Sequence, residues 1–257
     1  MPTFVLIPGA CHGAWYFEPL ARRLRQHGHR AYPMTLTGLG DRAHLLNTGV
    51  NLETHLQDVL SMLAAEQIED AVLVGHSYAG MVISGVADRA PERVDSLVYL
   101  DAFVPADGDS CWTLTSDEHR AWYLDVGETG YAVPPLPFFD PPATPHPLAS
   151  LLQRIRLTGD LTRFRRRDYV YASVRDGGQS LFAPTYQRLR DDPQWMVHAL
   201  DSRHDIMRDA PEKLLEILLD SVRADPGVGH LAVDQCDKQR PDDVAAPSAA
   251  DRPARRP

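Results

Sequence analysis

Gly75-His76-Ser77-Tyr78-Ala79-Gly80 sets one serine among small residues, directly after the apolar run Ala71-Val72-Leu73-Val74 and before a helical pattern reaching about Ala90. A strand, a Gly-x-Ser-x-small turn and a helix form the arrangement that holds a serine hydroxyl exposed on a strained turn above a sheet. Small neighbours are needed because the strand and helix backbones come close there. Ala79 replaces the second glycine of the strict motif, its single methyl is accommodated, and Gly80 adds room. Ser77 is the candidate nucleophile.

A serine hydroxyl attacks well only when a base takes its proton and a third group holds that base in the right tautomer. In a strand-turn-helix setting of this kind the partners follow in the order nucleophile, acid, histidine. Of eleven histidines, His204 follows the last strand, in Asp201-Ser202-Arg203-His204-Asp205, just before the last helix. His198 falls within that strand and reads as a surface or core residue, while His12 and His76 come too early to be the base. For the acid, Asp176 in Val174-Arg175-Asp176-Gly177-Gly178 follows a strand and leaves room for one helix and one strand before His204. Asp101, after the preceding strand, is its strongest competitor, and a turn aspartate is the plain alternative for Asp176.

The tetrahedral intermediate needs two N–H donors. Tyr78, at the start of the helix after the serine, supplies one, and Ala10, in the loop after the first strand, is the natural second, because Pro8 has no N–H. Gly9 and His12 of the small-residue loop Gly9-Ala10-Cys11-His12-Gly13-Ala14-Trp15 are candidate substrate contacts. So are the aromatics Trp112, Trp122, Phe138 and Phe139, which equally suit packing a cap onto the body.

The elements that must position these residues alternate. Thr3-Phe4-Val5-Leu6-Ile7 reads as a buried strand, Trp15 to Gln26 as an amphipathic helix, and Ala31 to Leu36 as a strand weakened by Pro33. Asn51 is an N-cap for a helix to about Gln67, and strands are expected at Ala71–Val74, Ser96–Leu100, Tyr169–Ala172 and Trp195–Leu200. Helices near Ala183–Arg190 and Pro211–Val222 complete an α/β pattern, a mostly parallel sheet of about six strands with helices on both faces. From about 105 to 167 the alternation breaks into a proline-rich, aromatic-rich stretch that reads as an inserted cap or lid. One domain over 1–224 is expected, and 225–257, with almost no apolar periodicity, reads as a disordered tail.

Within 257 residues, a hydrophobic fraction of 44% and a charged fraction of 24% are those of an ordinary globular protein. A net charge of −9 argues against binding phosphate backbones. The run Arg163, Arg165, Arg166 and Arg167 reads as a solvated loop, or as a means of steering an anionic substrate. With no apolar run of the roughly 20 residues a membrane helix needs, and no leader pattern after Met1, a cytoplasmic location is expected. Cys11, Cys111 and Cys236 are too scattered for a disulfide framework or zinc site. No P-loop lysine and no convincing dinucleotide motif is present, so no cofactor or metal is implied. The expected partners are a small-molecule ester substrate and, at most, a second copy in a homodimer, with neither nucleic acid nor membrane.

Phe4-Val5-Leu6-Ile7 followed by Gly9-Ala10-Cys11-His12-Gly13-Ala14-Trp15 resembles the opening of the plant methylesterase and hydroxynitrile lyase family. Thr35-Leu36-Thr37-Gly38-Leu39-Gly40-Asp41-Arg42-Ala43-His44-Leu45 and Leu100-Asp101-Ala102-Phe103-Val104-Pro105 are similar to its bacterial carboxylesterase branch, and the likeness covers about residues 3 to 223. The resemblance implies an α/β-hydrolase fold and a triad of Ser77, His204 and Asp176. The lyases of that family carry a threonine after the first strand and a lysine beside the histidine; the matching positions here are Gly9 and Asp205, which favours hydrolysis over release of cyanide. A serine esterase working through an acyl-enzyme is the first reading. A lyase or cyclase using the same triad, and a binding protein that retains the fold without turnover, are the alternatives.

Overall fold

Successive side chains of a strand point to opposite faces, so a run that is apolar at every position must be covered on both sides. The first strand, β1 (Thr3–Ile7), is such a run, and it is buried throughout. In the computed structural model, which describes residues 2–174 and 180–223, Phe4 and Leu6 face one layer of helices while Val5 and Ile7 face the other. The chain then alternates through α1 (Glu18–Gln26), β2 (Arg30–Pro33), α2 (Leu52–Ala65), β3 (Ala71–His76), α3 (Ala79–Arg89) and β4 (Val94–Leu100). The cap follows, built from α4 (Cys111–Leu114), α5 (Asp117–Leu124), the antiparallel pair β5 (Ala132–Val133) and β6 (His146–Pro147), and α6 (Leu148–Leu152). The body resumes with β7 (Arg166–Ala172), α7 (Ala183–Leu189), β8 (Met196–Leu200), α8 (Ile206–Asp209) and α9 (Pro211–Ser221).

The six body strands pair in the order β2-β1-β3-β4-β7-β8, all parallel. One face packs Leu20, Ala21 and Leu24 of α1 and Leu214, Leu215 and Leu218 of α9 against Val72, Val74, Val98, Leu100 and Val170. The other packs Leu56, Val59 and Leu63 of α2 and Met81, Val82, Ile83 and Val86 of α3 against Leu73, Leu97, Tyr99 and Tyr169, and the cap joins this side through Cys111, Tyr123, Val133 and Leu151. No described helix is long and apolar enough to cross a membrane.

Several expected boundaries shift for physical reasons. The helix expected from Trp15 divides into a 3₁₀ turn at Ala14–Tyr16 and α1, whose first turn holds Pro19, where its missing N–H costs nothing. Pro33 is tolerated because β2 is the edge strand and Pro33 its last residue. Asn51 caps α2 as expected, accepting from the Thr54 N–H at 3.1 Å. The cap ends earlier than 167, since Arg166 and Arg167 already lie in β7.

The arginine run is neither a solvated loop nor a steering patch. Arg165 pairs with Asp95 at 2.8 Å, and Arg166 with Asp168 at 2.7 Å and Asp220 at 2.9 Å. Arg167 is buried, with its guanidinium 5.1 Å from the centre of the Trp195 ring. These contacts tie the beginning of β7 to β4, to α9 and to Trp195 just before β8, at the opposite end of the strands from the site described next. Residues 225–257, expected to be a tail, lie outside the described residues.

Candidate active site

The C-terminal ends of β3, β4 and β8 bring Ser77, Asp101 and His204 to one edge of the sheet. Ser77 adopts φ +55°, the left-handed conformation that non-glycine residues avoid, and surrounding contacts hold it there. Its N–H donates to the Leu100 carbonyl at 3.1 Å, and its carbonyl accepts from Phe103 and Gly80, each at 3.2 Å. The small residues of the motif answer to this crowding. A methyl on Gly80 would stand 1.9 Å from the Phe103 carbonyl oxygen, and one on Gly75 2.8 Å from that of Ala79.

His204 Nδ1–H donates to Oδ2 of Asp101 at 2.8 Å, which leaves Nε2 as the basic nitrogen. Asp101 is fully buried at φ +39°, its N–H donates to the Val170 carbonyl at 2.7 Å, and its Oδ1 accepts from Ala172 N–H at 3.3 Å. The carboxylate on the histidine is therefore that of the residue just after β4. Asp176, the expected acid, lies outside the described residues. The imidazole of His204 is held between two rings, His76 at 4.5 Å and Phe182, parallel to within 11°, at 5.5 Å.

His76 is the residue whose part in the site its sequence position concealed. Its Nε2–H donates to the His204 carbonyl at 3.0 Å, while its Nδ1 is buried without a hydrogen-bond partner. Burial, and next the neighbouring His204 and His12, hold the His76 pKa well below the ordinary imidazole value. A neutral ring there places no second positive charge against the face of the His204 imidazole. The signal was its adjacency to Ser77, which puts it at the end of the same buried strand.

The loop after β1 lies against the elbow. A methyl on Gly9 would stand 3.0 Å from both the Ser77 Cβ and the His76 Nδ1, so a side chain there would press on the serine. Ala10 and Tyr78 follow β1 and Ser77 respectively, and neither amide has a hydrogen-bond acceptor among the described residues. The Tyr78 phenol points away into the core, where it donates to His55 Nδ1 at 2.7 Å. His55 in turn donates from Nε2 to the Thr37 carbonyl at 2.9 Å, and burial lowers its pKa to about 4.

His12 is buried, donates from Nδ1 to the Ala10 carbonyl at 2.6 Å, and packs against Tyr16, Trp15 and Phe139. Of the cap aromatics, Trp112 and Trp122 are partly buried against the core, and Trp122 spends its N–H on the Pro134 carbonyl at 2.8 Å. Phe138 is 75% exposed and makes its ring contact with Phe139. Phe139, rather than Phe138, is the ring turned inward, 4.9 Å from His12. Asp205 accepts from the Tyr16 hydroxyl at 2.8 Å and pairs with Arg208 at 3.3 Å, so its charge beside His204 is compensated. Arg208 also pairs with Asp140 of the cap.

A partly exposed serine on a strained turn, and a histidine hydrogen-bonded to a buried carboxylate, all at the C-terminal ends of strands, follow the plan of a hydrolase built on a parallel sheet. Residues 4–246 match the model of the alpha/beta hydrolase family, and the chain belongs to that family. A carbendazim hydrolyzing esterase from Nocardioides sp. (strain SG-4G) is 39% identical over 242 residues, 85% of this chain and 98% of that protein. Methylesterase 10 of Arabidopsis thaliana is 35% identical over 103 residues, 40% of this chain and 38% of that one. An extracellular alpha/beta-hydrolase from a Paenibacillus species shares the fold, with a TM-score of 0.74 at 24% identity over 87% of this chain and 100% of that chain. With an esterase matched over nearly its full length, the chain is a carboxylic ester hydrolase.

Proposed function

We propose that Ser77, His204 and Asp101 are the triad of a serine esterase that works through an acyl-enzyme. The hydrogen bond of 2.8 Å from His204 Nδ1 to a buried carboxylate carries this reading, because it fixes the tautomer in which Nε2 is free to accept the Ser77 proton. The single Nδ1–H of His204, bonded to Asp101, supports assigning to Asp101 the orienting role expected of Asp176.

Ser77 Oγ adds to the ester carbonyl as His204 Nε2 removes its proton, and the resulting oxyanion is met by the amides of Ala10 and Tyr78. The tetrahedral adduct collapses, the alcohol leaves with the proton from His204, and the acyl group stays on Ser77. Water then repeats the sequence, giving its proton to His204 and releasing the acid. The substrate is a small ester, with its non-reacting part against His12, Phe139 and Trp122. The names of the relatives point to small alcohols and extend the candidates to a carbamate ester, whose carbonyl is attacked in the same way. We place the enzyme in the cytosol, in keeping with Cys11 and Cys111 as buried free thiols.

A fluorophosphonate probe tests the nucleophile: wild type should take one label, and Ser77→Ala none. The same pair assayed on p-nitrophenyl acetate and butyrate, and on a series of methyl esters and methyl carbamates, reads out the substrate. Label retained in Ser77→Ala, or turnover unchanged in it, would sink the assignment.

A further inference from the structure

The cap holds the oxyanion loop from behind. Cys11, the residue after Ala10, adopts φ +68° and is completely buried. Its N–H donates to Nδ1 of His146 at 3.2 Å, and its carbonyl accepts from the Thr144 N–H at 2.9 Å. Both partners belong to the cap: His146 begins β6, and Thr144 lies two residues before it. Thr144 is itself anchored to the body, since its hydroxyl accepts from the Gly40 N–H at 2.8 Å.

The Ala10–Cys11 peptide is thus fixed at both poles. Its carbonyl takes the His12 Nδ1–H at 2.6 Å, and its N–H is taken by His146. An N–H can be accepted only by an imidazole nitrogen without a proton, so His146 must present the tautomer protonated at Nε2. That tautomer is set by the next bonds in the chain. Nε2–H lies 2.8 Å from Ser150 Oγ, and the Ser150 hydroxyl donates to the Pro147 carbonyl at 2.8 Å, leaving Oγ to accept. His146 and Ser150 are both buried, and burial holds the histidine neutral.

We infer that His146 is a positioning residue for the oxyanion hole: its Nδ1, brought by the cap, holds the Cys11 N–H and so fixes the orientation of the neighbouring Ala10 amide toward the oxyanion. This rests on the reading of the Ala10 amide as an oxyanion donor. A peptide plane hinges about the bonds to its two Cα atoms, so releasing the Cys11 N–H lets Ala10 rotate and misdirects its own N–H. The consequence is specific. The ester is bound before the oxyanion exists, so loosening the donor affects kcat far more than KM.

Asparagine and glutamine separate the role from mere filling. Asparagine places an amide oxygen near where Nδ1 stands, whereas glutamine reaches the position of Nε2 and leaves Cys11 without an acceptor. We expect His146→Gln to lose about tenfold or more in kcat with KM within about twofold, a fraction of the roughly 10²-fold or greater loss on deleting a whole oxyanion donor. Binding of a trifluoromethyl ketone, which forms a charged tetrahedral adduct, should weaken by a similar factor. His146→Asn should recover most of both losses, and thermal melts establish that each variant is folded.

Equal activity of folded His146→Gln and wild type overturns the inference, as does a loss confined to KM. If glutamine does not fold, the asparagine variant decides alone: kcat within about threefold of wild type supports the role of an acceptor, and a folded variant with a tenfold loss overturns it. Ser77→Ala is run alongside. Hydrolysis surviving in that variant would remove the serine reading itself, whatever the His146 variants do, so the two failures are distinguishable.

Discussion

His76 donates its Nε2–H to the carbonyl of His204 at 3.0 Å while the two rings lie 4.5 Å apart, so one imidazole holds the other both by backbone and by face. If His204 is the base we propose, the arrangement requires His76 to stay uncharged beside it. Burial gives that property.

Replacement of the acid should identify it. Asp101→Asn keeps the size of the side chain but offers His204 an amide, which favours the wrong tautomer, and kcat should fall by about 10³ to 10⁴-fold with the fold intact. Asp176→Asn should stay within about threefold. Steady-state kinetics on both variants decides between the two carboxylates, and a larger loss at Asp176 would return the role to it.

Acid should destabilise the protein before it protonates the carboxylates. The pKa values of His55, His76 and His146 are all lowered by burial, His55 to about 4, so in the folded state each resists the proton that it binds freely once unfolded. A group with a depressed folded pKa of this kind leaves stability unchanged above the unfolded value near 6.5, and stability drops as pH falls below it. With three such groups the slope approaches about 4 kcal/mol per pH unit as an upper bound between roughly pH 6 and 4. Urea unfolding at pH 8, 6 and 5 measures this. A flat profile between 8 and 5 would contradict the neutral state assigned to these rings.

The close approach at the elbow predicts a severe effect from one methyl. Gly80→Ala would put a carbon 1.9 Å from the Phe103 carbonyl oxygen, and the obstacle is backbone, which cannot rotate away. Overpacking ordinarily costs about 1–3 kcal/mol, so a loss of about 3 kcal/mol or more is expected, with activity falling as Phe103 and the adjoining Asp101 shift. A variant melting within a degree or two of wild type would mean that the helix and the β4 loop separate easily.

These features differ in how far the sequence discloses them. The positions of Ser77 after β3 and of His204 after β8 were legible because a short motif and chain order define them, and the strand before Ser77 because every residue in it must be apolar to be covered on both faces. Asp101 was visible only as a competitor. Two aspartates each follow a strand, and strand order does not choose between them, because β7 and not β4 is the neighbour of β8; the bond from His204 to Asp101 depends on how the loop after β8 carries the imidazole back across the sheet. The arginine run misled because local charge density says nothing of partners 54 to 70 residues away, such as Asp220 and Asp95. His146 carried no signal at all, since a histidine among prolines acquires its role only when the cap folds back onto the loop after β1.

The cap gives the last test, on two adjacent rings. Phe138 is mostly exposed, whereas Phe139 packs 4.9 Å from His12 and 6.2 Å from Trp122. If the acyl or alcohol group rests on this aromatic wall, Phe139→Ala should remove about 1–2 kcal/mol of contact, which is roughly a tenfold fall in kcat/KM for an aromatic ester. Phe138→Ala should stay within about twofold. A short-chain acetate, too small to reach the wall, should be turned over by Phe139→Ala at nearly the wild-type rate, which distinguishes lost substrate contact from a disturbed triad. Equal losses for the acetate and the aromatic ester would instead place Phe139 in support of His12 and the oxyanion loop.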